Sequence, residues 1–502
     1  MSAARPLQRL HRLPPSLHAQ LPVVAACAGI LAVALLLLGV FPNAVFEDDA
    51  YFYFQIARNI LVHGASSFDG LTLTNGYHPL WMGVLVVAGA PLAALGVTAP
   101  AAYGAVFVAA GVLVWGLALS RLRGGFLLLG AVLACYCGLA MESPLAALAL
   151  MLAYDALLEE RSPAPWVLLA VATRPDMAVA VLPLLVVMTG RQRLHAVLAT
   201  ALGLAAVAAF HWMLTGYPYS VSSSIKASSA FDRSVLHGLL GYLGSPGHLY
   251  RLSVLAALNA LAIAGLFFTR PRPAEGAPPR PRSTLRTWVA LGFSANAFVA
   301  AHLVAGDVRD WHFAPSLLPL LFLCSVLFHG ATRRPSQTSP TDSSPKPQLP
   351  GPARHAVAGV PVALAALGLL LLAGYLWINR PHMRHTDDFL RAARRALPAG
   401  TRVFAYDGSG FLAWKLADHA HVIDGDGLCQ SFAYRRRVLI PGRFREYLRE
   451  HAIGHAIVNH EGQESCPAPG VCLPPEAVRV LVQSRSLRPY TSYSLISFSL
   501  GE

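Results

Sequence analysis

Apolar runs near twenty residues long alternate with short polar loops through the first three quarters of the chain. A helix satisfies its own backbone polar groups, so runs of this length predict helices that cross a bilayer. The runs are Leu21 to Phe41, Pro79 to Leu95, Ala101 to Leu119, Phe126 to Ala140, Leu145 to Leu158, Leu194 to Leu214, Val254 to Phe268, Leu285 to Val304, Phe313 to Phe328 and Val357 to Ile378. Two shorter apolar pieces flank Arg174-Pro175-Asp176. The first run is too long and uniform for a cleaved signal peptide, and Arg5, Arg9 and Arg12 before it place the N-terminus in the cytoplasm. The same rule puts Arg270 to Arg286 and Arg333 to Arg354 in the cytoplasm, with Thr215 to Tyr250, Gly306 to Trp311 and everything after Asn379 outside. A conflict follows. The runs total an even number, which would return the C-terminus to the cytoplasm, so one has been misread. The broken region at Arg174, whose two pieces would form one span, is the first suspect, and a further span hidden between Pro79 and Arg123 the second.

Composition supports the class. Hydrophobic residues make up 55% of the 502-residue chain and charged residues 13%. The net charge of +13 is carried by arginine, since Lys226, Lys346 and Lys415 are the only lysines. Arginines gathered in short loops indicate orientation in a membrane and argue against nucleic acid as a partner. The expected fold is an all-α polytopic membrane bundle of about 11–13 spans over residues 1–378, with a first external loop at 42–78 and a disordered cytoplasmic linker, rich in Pro, Ser and Thr, at 331–355. Residues 379–502 read as a small external α/β domain. Its strands are expected at Thr401 to Tyr406, Ala420 to Ile423, Ala456 to Asn459 and Ser494 to Leu500, and a helix at Phe444 to Glu450. Gly408-Ser409-Gly410 lacks the rest of a nucleotide-binding fingerprint and reads as a turn. Cys466 and Cys472 are expected to form a disulfide in an oxidising compartment, while Cys27, Cys135, Cys137 and Cys324 sit in apolar runs as packing residues.

The polar stretch from Glu47-Asp48-Asp49 to Trp81 interrupts this pattern where chemistry would be expected. Three adjacent carboxylates beyond a span must lie in water or in a polar cavity. From Ala50 to His63 the apolar positions recur at helical spacing, with Asp48 or Asp49 at the N-terminus and Gly64 at the C-cap. Such a helix would lie along the membrane surface, with Tyr51, Phe52, Tyr53 and Phe54 in the headgroup layer. An acidic pair at a helix start can equally serve only as a cap.

Several motifs in order carry a resemblance: Glu47-Asp48-Asp49-Ala50-Tyr51, Asn75-Gly76-Tyr77-His78-Pro79-Leu80-Trp81, Met141-Glu142-Ser143-Pro144 and Thr173-Arg174-Pro175-Asp176. Together the sequence resembles the GT-C superfamily of membrane glycosyltransferases, and within it the branch of mycobacterial cell-wall arabinofuranosyltransferases. Gly216 to Lys226 is similar to that branch's external loop, which ends in lysine. His78 and the serines after Val221 depart from the branch pattern, so the resemblance implies the superfamily and leaves the sugar, hexose or pentose, open. It implies transfer from a polyprenyl-phosphate donor, with inversion, to an acceptor of the cell envelope, by a multi-pass enzyme of the inner or plasma membrane whose C-terminal domain is extracytoplasmic.

Such chemistry needs a base for the acceptor hydroxyl and cations for the departing phosphate. Asp48 is the first choice of base and Asp49 the second. Lys226, Arg58, Arg174, Arg309 and His312 are the candidates for the donor phosphate, and Glu47, Tyr77, His78 and Glu142 for substrate. Lys226 is the strongest cation, a lone lysine among serines. Arg58 could simply snorkel, Arg309 could pair with a loop aspartate, and Glu142 could satisfy Arg174 within the bundle. The sequence fixes no cofactor, and whether a divalent metal, Mg or Mn, assists is left open. A flippase for lipid-linked sugars or a membrane scaffold are the other classes, although no internal repeat of the transporter kind is visible.

Overall fold

The computed structural model describes residues 15–40, 46, 48–230, 246–268, 283–305, 309–329, 351–406, 409–458, 466–467, 471–484 and 493–500. Glu47, Asp307, Gly408 and most of the two arginine-rich loops lie outside these. Among the described residues six helical stretches are long and apolar enough to cross a membrane: Pro100–Leu119, Gly190–Thr215, Gly247–Leu266, Leu285–Val304, Asp310–Phe328 and Gly359–Ile378. Around them pack shorter apolar helices, so the chain is a multi-pass helical bundle with a small C-terminal sheet domain.

In chain order the helices are α1 (Pro15–Val40), α2 (Asp48–His63), α3 (Pro79–Ala94), α4 (Pro100–Leu119), α5 (Gly125–Leu133), α6 (Ser143–Leu158), α7 (Ala164–Thr173), α8 (Ala178–Leu185), α9 (Gly190–Thr215) and α10 (Val221–Ala230). Then come α11 (Pro246–Phe268), α12 (Ser283–Ala305), α13 (Ala314–His329) and α14 (Gly351–Ala396). Two cavities mark the ends of the bundle. One is lined by Glu142, Arg174, Asp176 and His302, the other by Leu158, Ser162, Val187, His195 and Thr287. So α6, α7, α8, α9 and α12 each run from one cavity to the other, and the pieces around Arg174 are two legs of a hairpin turning at Pro175–Met177.

The misread run is Pro79 to Leu95. Both ends of α3 are tied to α2: the Tyr53 hydroxyl accepts from the His78 backbone N–H at 3.2 Å, and Arg58 donates to the Thr98 carbonyl at 3.0 and 2.8 Å. These tethers hold α3 along α2, whose first turns line the first cavity. Without α3 the apolar runs read from the sequence are odd in number, as the basic loops require.

The tail begins without a break. α14 has 46 residues, and its last turns bury Phe389, Leu390 and Ala393 against the sheet. That sheet has the order β2-β1-β3-β5-β4, with β1 (Thr401–Ala405), β2 (Ala420–Asp424), β3 (His455–Val458), β4 (Val478–Ser484) and β5 (Tyr493–Phe498). β1 pairs in parallel with β2 and β3, while β5 runs antiparallel to β3 and β4. β4 has no counterpart among the expected strands, because its exposed positions break the alternation. Where a turn is expected, Ser409 opens helix α15 (Ser409–Leu416); α16 (Phe444–Glu450) lies as expected. Cys466 and Cys472 are joined by a disulfide.

The domain sits on the first loop. Phe411 packs edge-on to Tyr51 at 5.5 Å and Trp414 to Phe54 at 5.6 Å. Hence the aromatic cluster of α2 is buried in protein, Tyr51 and Phe54 completely, and not laid in a headgroup layer. Gly76 shows how close the approach is: a Cβ there would stand 2.1 Å from the Leu428 carbonyl oxygen.

Candidate functional site

A cavity of about 220 Å³ opens where α2, the loop before α3, α10 and the tail domain meet. Each wall has a local cause. Asn75 bridges two loops, its amide donating to Thr215 Oγ1 at 3.0 Å and the Tyr219 carbonyl at 3.1 Å while its oxygen accepts from Val221 N. That bridge fixes the start of α10, where Ser220 Oγ accepts from Ser223 N as an N-cap does. Lys226 then points into the cavity, its Nζ 3.7 Å from Asp49 Oδ2 and 5.9 Å from the Trp311 ring centre.

Opposite lies a chain of buried charge. Arg174 Nη1 donates to Glu142 Oε1 at 2.7 Å and to Ser143 Oγ at 2.9 Å, and Nη2 and Nε grip Asp176 at 2.7 and 3.1 Å. The guanidinium lies over Phe298, 5.1 Å from the ring centre. His302 Nε2 reaches Asp176 at 3.1 Å and its ring stacks on His312 at 3.8 Å. His312 Nδ1 accepts from the Arg309 backbone N–H at 3.1 Å, which leaves Nε2 as that ring's donor. Arg174 is satisfied by its carboxylate partners, and the same residues line the cavity. His78 Nε2 stands 3.7 Å from Glu142 Oε1, and Glu142 Oε2 is buried without a hydrogen-bond donor.

The two aspartates of α2 part company. Asp49 lines the cavity, whereas Asp48 points into the tail domain: its Oδ1 accepts from Phe411 N at 2.7 Å and its Oδ2 from Gly410 N at 3.1 Å. It thus caps α15, and a Cβ on Gly410 would come 2.4 Å from the Asp48 carbonyl. Burial pushes the Asp48 carboxyl up to about 7, with Asp49 and Asp426 adding to the rise and the two N–H bonds opposing it. Asp424 behind it is likewise raised, chiefly by burial.

Of the residues singled out in sequence, Asp49, Tyr77, His78, Glu142, Arg174, Lys226 and His312 therefore meet in one cavity. Arg58 does not: its guanidinium is held by the Thr98 carbonyl just beyond α3. Arg309 is not among the lining residues either, and beside it Asp310 is held by Arg251 at 2.5 Å and His248 at 2.9 Å. Glu47 lies outside the described residues. Missed in sequence were His302, Trp311, Leu428 and Cys429. A histidine inside an apolar run was the available signal for the first; nothing local marks the tail residues. Among the described residues no group of three or more His, Cys, Asp or Glu side chains is arranged to hold a metal ion.

No family model and no curated protein matches this sequence. Among solved structures, ArnT from Cupriavidus metallidurans bound to undecaprenyl phosphate is similar over 95% of this chain and 97% of its own, with a TM-score of 0.53 and 13% identity. Its apo state is similar over 94% and 98%, with a TM-score of 0.52 and 15% identity. The arabinofuranosyltransferase AftD from Mycobacteria aligns with 94% of this chain and 40% of its own, with a TM-score of 0.40 and 13% identity. The likeness to ArnT shows a fold shared over nearly the whole of both chains.

Proposed function

We propose that this chain is a GT-C-type membrane glycosyltransferase that moves a sugar from a polyprenyl-phosphate donor to an acceptor hydroxyl of the cell envelope, with inversion, on the side that carries the tail domain. The observation that carries the reading is the cavity itself, which sets the Asp49 carboxylate 3.7 Å from the Lys226 ammonium beside Arg174 and three histidines. The fold shared with ArnT, whose structure holds undecaprenyl phosphate, supports the donor class.

In this reading the acceptor oxygen attacks the anomeric carbon while its proton passes to Asp49, and the bond from that carbon to the phosphate oxygen breaks on the opposite face of the sugar. The electrons stay on the phosphate, where Lys226 offers a compact cation and the serines around it hydroxyl donors. Arg174 is already held by two carboxylates, so it shapes the wall and its field more than it offers free donors. The unfilled acceptor at Glu142 Oε2 fits a sugar hydroxyl. Asp48, engaged by α15, is a positioning residue. No step is assigned to a metal.

Purified protein in lipid, given a panel of polyprenyl-phosphate sugars, should consume one of them. Asp49→Asn should lower the rate by on the order of a hundredfold to ten-thousandfold, as loss of a general base does. Asp48→Asn should keep measurable turnover. Lys226→Ala should weaken donor use strongly, with Arg restoring it only in part. Wild-type turnover in the Asp49 variant and none in the Asp48 variant would hand the proton to Asp48; full activity in both would end the transferase reading of this cavity.

A further inference from the structure

The second cavity, about 720 Å³ at the other end of the bundle, belongs to no part of the proposed reaction. Its origin is a short helix. α8 has only eight residues, about 12 Å of rise, so beneath its end a notch opens between the last turn of α6, the start of α9 and the start of α12. Leu157, Leu158 and Val187 form an apolar floor, Trp288 one edge, and the Arg191 guanidinium and His195 imidazole a polar rim.

Two features of α9 point to one kind of occupant. Arg191, His195, Leu198 and Leu202 follow at the spacing of a single helix face. The leucines are 57% and 58% exposed, so the two polar side chains give way to an apolar track along the helix. At this end Arg121 pairs with Asp155 at 2.9 Å and Arg161 with Glu159 at 2.6 Å, and Arg193 donates to the Leu185 carbonyl at 2.9 Å. Among the described residues no hydrogen bond or ion pair engages Arg191 or His195, and the positive end of α9, a 26-residue helix, adds to their field. Glu160 is the one carboxylate on the rim.

We infer that this notch binds the phosphate of an anionic membrane lipid, between Arg191 and His195, with an acyl chain lying along Leu198 and Leu202. A phosphate diester meets the Arg191 cation, the His195 imidazole N–H and Trp288 at the level of the headgroups, where aromatic edges and arginines both reside. The inference rests on the membrane-spanning fold alone, so it stands or fails independently of sugar transfer.

The test uses the full chain in phosphatidylcholine vesicles carrying bromine-labelled acyl chains on either phosphatidylglycerol or phosphatidylcholine. The Trp288 signal is isolated as the difference between wild type and Trp288→Phe. Brominated phosphatidylglycerol should quench that signal at a mole fraction on the order of tenfold lower than brominated phosphatidylcholine. The double variant Arg191→Ala/His195→Ala should erase the preference while melting as wild type does in pure phosphatidylcholine, since both side chains are exposed. Equal quenching by the two lipids, or a preference that survives the double variant, would overturn the inference. So would full competition by millimolar inorganic phosphate, which would assign the notch to a soluble phosphate compound.

Discussion

Between Asp48 and Asp49 the chain turns by about 100° around the axis of α2, and that rotation sends one carboxylate to the N–H groups of α15 and the other into the cavity with Lys226. In sequence the two are equivalent, and both cap helices well. What separates them is the tail domain, more than three hundred and fifty positions away, which covers one and leaves the other open. The raised Asp48 carboxyl has a thermodynamic consequence. Its folded value of about 7 exceeds the ordinary carboxylate value of about 3.9, so the folded state holds the proton more tightly than the unfolded chain. The associated stability is fully present below about pH 4 and is lost as pH rises through about 7. Thermal unfolding between pH 5 and pH 8 should therefore show stability falling with pH, and Asp48→Asn should flatten that slope. An unaltered slope in the variant would mean that Asp48 titrates normally.

Among the elements, α2 and α15 form the joint on which the cavity depends. The edge-on ring pairs Tyr51 with Phe411 and Phe54 with Trp414 hold the two helices together, and Gly76 lets the Leu428–Cys429 segment descend onto the first loop. At 2.1 Å from a carbonyl oxygen, a methyl group cannot be accommodated without moving backbone. Gly76→Ala should therefore push that segment away, at an overpacking cost typically of 1–3 kcal/mol. It should also turn buried Cys429 reactive toward a maleimide in folded protein, read as the alkylation rate of that one thiol. A thiol as unreactive as in wild type, with an unchanged melting temperature, would show that the segment is not held by this contact. The same joint explains α3, whose composition alone matches a span. Its hydrogen bonds to α2 decide that it stays on the site side, and no pattern within the run itself reveals them.

For the whole molecule, two cavities at opposite ends of one bundle give a map of sidedness. Single cysteines at Ser222 and Ser162, in a background freed of other reactive thiols, should label from opposite faces of a sealed vesicle, Ser222 from the face that bears the tail domain. Labelling of both from one face would refute the orientation that the arginine bias sets. Much of this architecture could be read from the sequence, because membrane helices announce themselves by length and apolarity and charged loops by arginine. The same holds for α2, whose apolar spacing and acidic start are local, and for four of the five strands. Lys226, His78, Glu142 and Arg174 were also legible, since a polar residue in so apolar a chain needs a reason to be there. What only the tertiary structure decided was how distant pieces share one space: that α3 lies beside α2, that Asp48 and Asp49 face different ways, that His302 joins Asp176, and that Cys429 of the tail closes the cavity. Periodicity and charge bias are properties of a few turns of chain. Which surfaces meet across hundreds of residues is fixed by packing, and packing is settled by all the contacts at once.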